Sequence, residues 1–305
     1  MVARTAEPGG TVAPSSAGVA FGPASEAWWL NRETMLLLGA GPRALLLQVA
    51  HPAVAEGVDR FSGFRDDPWA RLASTLRSYL RIVYGQAGAA DAEVGRLSRL
   101  HAPIRGEVRE PEARARGLTS YEATDPDLAL WVHATLVDST IAAYDAWIEP
   151  LERARRERYY AETIPLGLAF GIGAGRLPPD LAAFEAYVAW MIGPEGPVSP
   201  TPTARDLSRT ILHPPLGTLH PALRPIRPLL DAVPPALYDW TMWPAVGLVP
   251  PRIRQGYGIG FGPLERAVAS WLVAGWRVWR PLLPAAFRQM PQARLADRLL
   301  DRAVT

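Results

Sequence analysis

The sequence predicts an all-α fold, a single multi-helix domain, and three observations predict it. No run of four or more residues alternates apolar and polar side chains as a half-buried strand does. Two Asp-Pro steps, Asp67-Pro68 and Asp125-Pro126, pair a capping carboxylate with a proline suited to the first helical turn. The 31 prolines gather at helix starts and in the connection from 194 to 235, where they punctuate helices.

Helices are expected in order at 25–38 and 42–49, separated by Gly39 and Gly41 and opened again by Pro42. The next runs from Pro68 to about Tyr84, where Gly85 closes it, and is followed by one at 90–104. Pro126 opens a long helix to about Ile148, and 150–162, 179–192 and 204–212 follow. The last three are 235–243, 263–278 and 291–303. Residues 1–24, rich in Gly, Ala, Pro, Ser and Thr, read as a disordered lead-in to a domain over 25–305. The lead-in lacks the continuous apolar run of a signal peptide, so a cytoplasmic protein is expected. The most apolar stretch, 35–54, is broken by Gly39, Gly41, Pro42, Arg43, Gln48, His51 and Pro52 and does not suit a membrane-spanning helix. Trp271, Trp276 and Trp279 among Glu265, Arg266, Arg277 and Arg280 suit either a packed, Arg-fringed helix or peripheral membrane contact.

Composition excludes whole chemistries. The chain has no cysteine and no lysine, its 32 basic residues being arginine, and only five histidines. Thiolate nucleophiles, iron–sulfur clusters and thiolate-ligated haem are therefore absent, as are Schiff-base and phosphate-loop lysines. A net charge of +2 without a basic stripe does not suggest nucleic acid. The strings GIGAGR at 171–176 and GYGIGFG at 256–262 follow no strand and are expected to be turns.

Arg71 and Thr75 stand four apart, one turn from each other on a face that Tyr79 and Ile82 continue. An arginine there needs an anion, either a carboxylate of the protein or an anionic group of a cofactor. His101 lies on the stripe formed by Val94, Leu97 and Ile104, as a core residue or as a ligand. The short loop between the two helices lets them pair antiparallel and face a common cavity. His133, flanked by Leu130 and Val137, is a second ligand, a residue behind the ligand, or core. His51, before a proline, is expected to cap a broken helix, and His213 and His220, both before prolines, are weaker candidates. No histidine pair has the spacing of a zinc or di-iron site, and no G-x-S-x-G elbow occurs.

Read in order, WWLNRETMLLLGAGPRALLLQVAHPAVAEGV, FRDDPWARLASTLRSYLRIVYG, LHAPIRG, YEATDPDLALWVHATLVDSTIAAYD and LVPPRIRQGYG resemble the oxygenase family of MpaB and rubber oxygenase, over roughly 26–258. The resemblance implies a mostly helical fold with a globin-like core around haem b. It also implies that Arg71, Thr75 and His101 form the haem pocket, with His101 the proximal iron ligand and propionates the anion for Arg71. The sixth position is then either open or water-filled, or occupied by another group such as His133, which joins the cofactor-binding set, and Glu56, near the distal side, is the acid/base candidate. Rubber oxygenase carries a lysine just before its Thr; Ser74 stands there in this chain. The implied reaction is oxygenation or oxidative cleavage of a carbon–carbon double bond in a hydrophobic isoprenoid or lipid substrate, with dioxygen. A haem-binding sensor or carrier without turnover, and a cofactor-free helical module on membranes or partners, are the alternatives.

Overall fold

The computed structural model describes residues 21–64, 67–86, 88–216, 225–234 and 237–304. In chain order the helices are α1 (Glu26–Leu30), α2 (Met35–Val49), α3 (Pro52–Phe61), α4 (Pro68–Tyr84), α5 (Ala89–His101), α6 (Pro111–Ala115), α7 (Pro126–Trp147) and α8 (Arg153–Ala169). They continue as α9 (Leu181–Ile192), α10 (Pro202–Leu212), α11 (Arg227–Asp231), α12 (Trp243–Leu248), α13 (Pro251–Tyr257), α14 (Pro263–Trp279), α15 (Ala285–Arg288) and α16 (Pro291–Val304). Two three-residue strands, β1 (Arg105–Glu107) and β2 (Ser120–Glu122), pair antiparallel with Gly106 opposite Tyr121. They are too short to show alternation in sequence. The fold is all-α, as expected.

The Asp-Pro devices work as chemistry predicts. Asp67 accepts from Ala70 N–H at 2.9 Å and Asp125 from Asp127 N–H at 2.8 Å, each satisfying a donor that the first helical turn leaves open. Gly85 ends α4, and the two glycine strings form turns, with Gly171 and Gly258 in the left-handed region at φ +83° and +72°.

Four expectations are corrected. The helix expected at 25–38 is two helices, interrupted after Leu30, and no break occurs at Gly39 or Pro42. Pro42 lies inside α2, at the cost of one backbone hydrogen bond, because α2 is clamped along its length against α7. Pro165 is carried inside α8 in the same way, so that helix runs on to Ala169. His51 occupies the N-cap position of α3 but its side chain makes no capping bond. The helix expected at 235–243 begins outside the described residues. From 237 the chain makes a 3-10 turn at Asp239–Thr241 before α12.

The α2/α7 pair is the centre of the molecule. Trp131, fully buried, donates its indole N–H to Leu47 O at 3.2 Å and packs among Leu46, Leu207 and Ile253. A second cluster joins Tyr144 and Trp147 of α7 to Tyr159 and Tyr160 of α8 and Phe184 of α9. Each large side chain so buried contributes about 1.5–3 kcal/mol. Arg43 of α2 is buried between the helices, 2.7 Å from Asp138 and bonded to Ser139 Oγ and Leu248 O at 2.8 Å each. A cation there is tolerated because its donors reach acceptors on α7 and α12. No helix among the described residues is long and apolar enough to cross a membrane. Residues 1–20 of the expected lead-in lie outside the described residues, whereas Phe21 packs against the clusters of α1, α4 and α8.

Candidate functional site

The helical hairpin of α4 and α5 builds the site. Ile82 of α4 packs with Ala90 and Val94 of α5 and Leu166 of α8, holding the closed end together. One turn further, Arg96 donates to Ser78 Oγ at 2.9 Å and to Glu93 Oε1 at 2.6 and 3.0 Å, which fixes the register of the pair. That register carries Arg71 and Thr75 toward His101, the last residue of α5.

Arg71 is partly buried, and its guanidinium makes no hydrogen bond or ion pair among the described residues. Desolvation pulls its pKa below the usual value. His101 is also partly buried, and neither ring nitrogen makes a hydrogen bond among the described residues. Desolvation lowers its pKa first, and the charges of Arg71 and then Arg96 lower it further. The imidazole is therefore neutral at pH 7, the form that can ligate a metal. Thr75, exposed, donates its hydroxyl back to Arg71 O at 3.0 Å. Leu72 and Leu100 stand exposed on the same two helices. The open end thus combines an unpaired cation, a neutral imidazole, a hydroxyl and apolar side chains.

Behind α4 lies a buried polar network. Tyr79 donates to Asn31 Oδ1 at 2.6 Å, and Tyr159 of α8 and Thr140 of α7 complete it. Burial pushes the Tyr79 and Tyr159 phenols above the usual value and keeps them neutral.

No hydrogen bond or ion pair joins the other candidates to this group among the described residues. His133 is buried in α7 with its Nε2 unpartnered, and desolvation lowers its pKa to about 4. His51 is buried with Nδ1 unpartnered; desolvation takes its pKa to about 4 against the opposing effect of Asp125. Glu56, fully buried in α3, accepts from Arg109 N–H at 3.0 Å and Arg109 Nε at 2.8 Å, and Arg109 also reaches Asp59 at 3.0 Å. His213 stands 2.7 Å from Asp239. His220 lies outside the described residues.

A pocket of about 380 Å³ lies between α8 and α9, and one of about 260 Å³ beside His51, Arg116 and Thr201. Neither is lined by Arg71, Thr75, His101 or His133. Among the described residues no three His, Asp or Glu side chains gather as a metal site.

The family model for the catalytic domain of "ER-bound oxygenase mpaB/B'/Rubber oxygenase" matches residues 27–285. The chain belongs to this family. The match runs from α1 to the start of α15 and takes in the whole α4/α5 hairpin. Two mycobacterial proteins are similar over part of the chain: the uncharacterized proteins Mb2261 of Mycobacterium bovis and Rv2237 of Mycobacterium tuberculosis. Each is 32% identical over 152 residues, which are 47% of this chain. The chain spans about half the length of these relatives, 55% in each case. No solved structure matches the chain.

Arg96, whose charge acts on His101, was missed in the sequence. Its three-residue spacing from Glu93 is a helical ion-pair signal that could have found it. Leu72 and Leu100 carry no sequence signal, because an exposed leucine looks like any other.

Proposed function

We propose that this member of the oxygenase family is a haem b enzyme whose prosthetic group sits at the open end of the α4/α5 hairpin. The observation that carries the reading is that Arg71 and His101 lie side by side there without a protein partner among the described residues. In this reading His101, neutral at pH 7, would hold the iron, and Arg71 would hold a propionate by charge-assisted hydrogen bonds. Thr75 contributes a hydroxyl, and Leu72 and Leu100 supply apolar contact for the macrocycle. A globin-like arrangement of the surrounding helices belongs to the same reading. Bound there, haem b supplies the redox-active iron for dioxygen chemistry on a carbon–carbon double bond.

The substrate class proposed is a hydrophobic unsaturated molecule such as an isoprenoid or lipid, since Leu72 and Leu100 give this end an apolar rim. With no lysine in the chain and Ser74 at the position where rubber oxygenase has one, His133 or water would be the second group available to the iron. Glu56 can move a proton only after Arg109 releases it, because both its oxygens accept from that residue. This closure favours a second reading, a haem carrier without turnover at the same site.

The test is the visible spectrum and pyridine haemochrome of chain expressed with a haem precursor. A Soret band at about one haem b per chain, lost in His101→Ala and weakened in Arg71→Ala, supports the site. Folded, colourless chain that refuses haemin removes it. Oxygen consumption with a long-chain isoprenoid separates the enzyme from the carrier.

A further inference from the structure

The outer face of α14 carries a seam. Leu264, Ala267, Trp271, Ala274 and Val278 follow at spacings of three and four, and all five are exposed, Leu264 by 65%, Trp271 by 74% and Val278 by 67%. The opposite face is occupied, since Ala269 is buried and Val273 packs against the cluster of Tyr144 and Trp147. An ordinary surface helix turns its apolar stripe inward; α14 has a second stripe turned outward. Patches of this kind mark contact surfaces.

We infer that α14 pairs with α14 of a second copy of this chain, antiparallel, about a two-fold axis near its middle. Three features select this occupant. The spacing is that of a helix–helix seam, one residue per turn. The seam is complementary to itself when reversed: Trp271 meets Ala274 of the second copy, Val278 meets Ala267, and Leu264 meets Leu282, which is 72% exposed just beyond the helix. In the first two pairs a large residue is set against a small one, which lets the two backbones approach. A residue i that meets j while j meets i is the condition for a closed dimer. The area also suffices. With Trp279, Leu282 and Phe287 at the rim, the surface covered is on the order of 800 Å² per copy, the usual size of a specific interface.

The two arginines beside the seam are drawn off it. Arg266 donates to Phe261 O at 3.1 Å and Arg277 to Asp145 O at 2.6 Å within the same chain. Each is thereby anchored to its own chain at the margin of the seam rather than lying across it.

Sedimentation velocity of the whole chain over a concentration series, without haem, tests the pairing apart from the proposed activity. A dimer is expected for the wild type. Trp271→Glu and Val278→Glu should each weaken association about a hundredfold or more with unchanged far-ultraviolet circular dichroism, since both side chains are exposed. The native chain has no cysteine, so a bismaleimide reagent should join copies carrying Ala274→Cys and leave copies carrying Leu168→Cys, on exposed α8 surface, single. A wild type that stays monomeric at every concentration overturns the inference, as does a dimer indifferent to both glutamates. Monomeric chain that binds phosphatidylcholine/phosphatidylglycerol vesicles through Trp271 also overturns it and assigns the seam to a bilayer.

Discussion

Arg71 on α4 and His101 on α5 face each other closely enough for the guanidinium to depress the basicity of the imidazole, and neither has a partner among the described residues. Two groups that would each prefer an anion or a metal are held together with neither. The cost of gathering them is met by the packing of Ile82 on Val94 and by the Arg96 bonds to Ser78 and Glu93. The hairpin is therefore a rigid frame that keeps an unfavourable pair in register, as a preorganised binding site requires.

Replacing Arg71 with glutamine removes one of the two positive charges acting on the imidazole. The His101 pKa should then rise toward the ordinary value while remaining below it, because burial, the larger cause, and Arg96 stay in place. Titration of the His101 Cε1–H resonance by nuclear magnetic resonance reads this directly. An unchanged pKa would mean that the two side chains are not neighbours in solution.

Glu56 and Arg109 make a second pair with a different lesson. The Glu56 side chain is fully buried, whereas Arg109 is more than half exposed. Removing the arginine side chain leaves a carboxylate with only the Arg109 backbone N–H. Arg109→Ala should cost roughly 2–3 kcal/mol in urea unfolding, as expected for an under-satisfied buried charge. Glu56→Gln in the same background should recover part of the loss, since a neutral amide is cheaper to bury. Additive effects of the two substitutions would show that they do not interact.

Much of the helical order was legible in the sequence because capping is local chemistry. Asp67 and Asp125 announce α4 and α7, and Gly85 marks where α4 stops. The error at Pro42 is equally instructive: a proline inside a helix reads as a break until the neighbour that clamps it is known, and α7 lies far along the chain. The same limit applies to the site. Arg71, Thr75 and His101 could be brought together from a four-residue spacing and a short connection. The anion beside Arg43 and the cation beside Glu56 could not, because Asp138 and Arg109 belong to distant elements. Nor could the seam on α14 be told from a core stripe, since periodicity does not say which face is covered.

Acid should destabilise the fold through its buried histidines. His51 and His133 have native pKa values of about 4 against an ordinary value of 6.5, so between those limits the unfolded chain binds more protons than the folded one. Stability is therefore fully present above about pH 6.5 and falls as pH drops toward 4, by roughly 3 kcal/mol per histidine. Urea midpoints from pH 7 to pH 4 should follow that slope, and His133→Phe should reduce it by about half. A His133→Phe slope equal to that of the wild type would show that the ring is solvated in the native state.

Two glycines of α2 separate helix propensity from helix packing. A Cβ added at Gly39 would lie 2.9 Å from the ring of Trp147, which is itself buried. At Gly41, two residues on in the same helix, a Cβ would meet nothing within 4 Å beyond its chain neighbours, one of which is Pro42. Propensity alone gives Ala an advantage of roughly 0.5–1 kcal/mol over Gly at both positions. Gly41→Ala should realise only part of it, since the Cδ of Pro42 crowds a preceding helical Cβ, and should leave the melting temperature near that of the wild type. Gly39→Ala must push Trp147 off its seat, an overpacking cost of about 1–3 kcal/mol that outweighs the gain, so the variant should melt lower. Since Trp147 lies on α7, the loss should appear in tryptophan fluorescence as well as in thermal unfolding. Equal melting temperatures for the two alanine variants would mean that α2 and α7 do not approach through Gly39, and the central helix pair would need another arrangement.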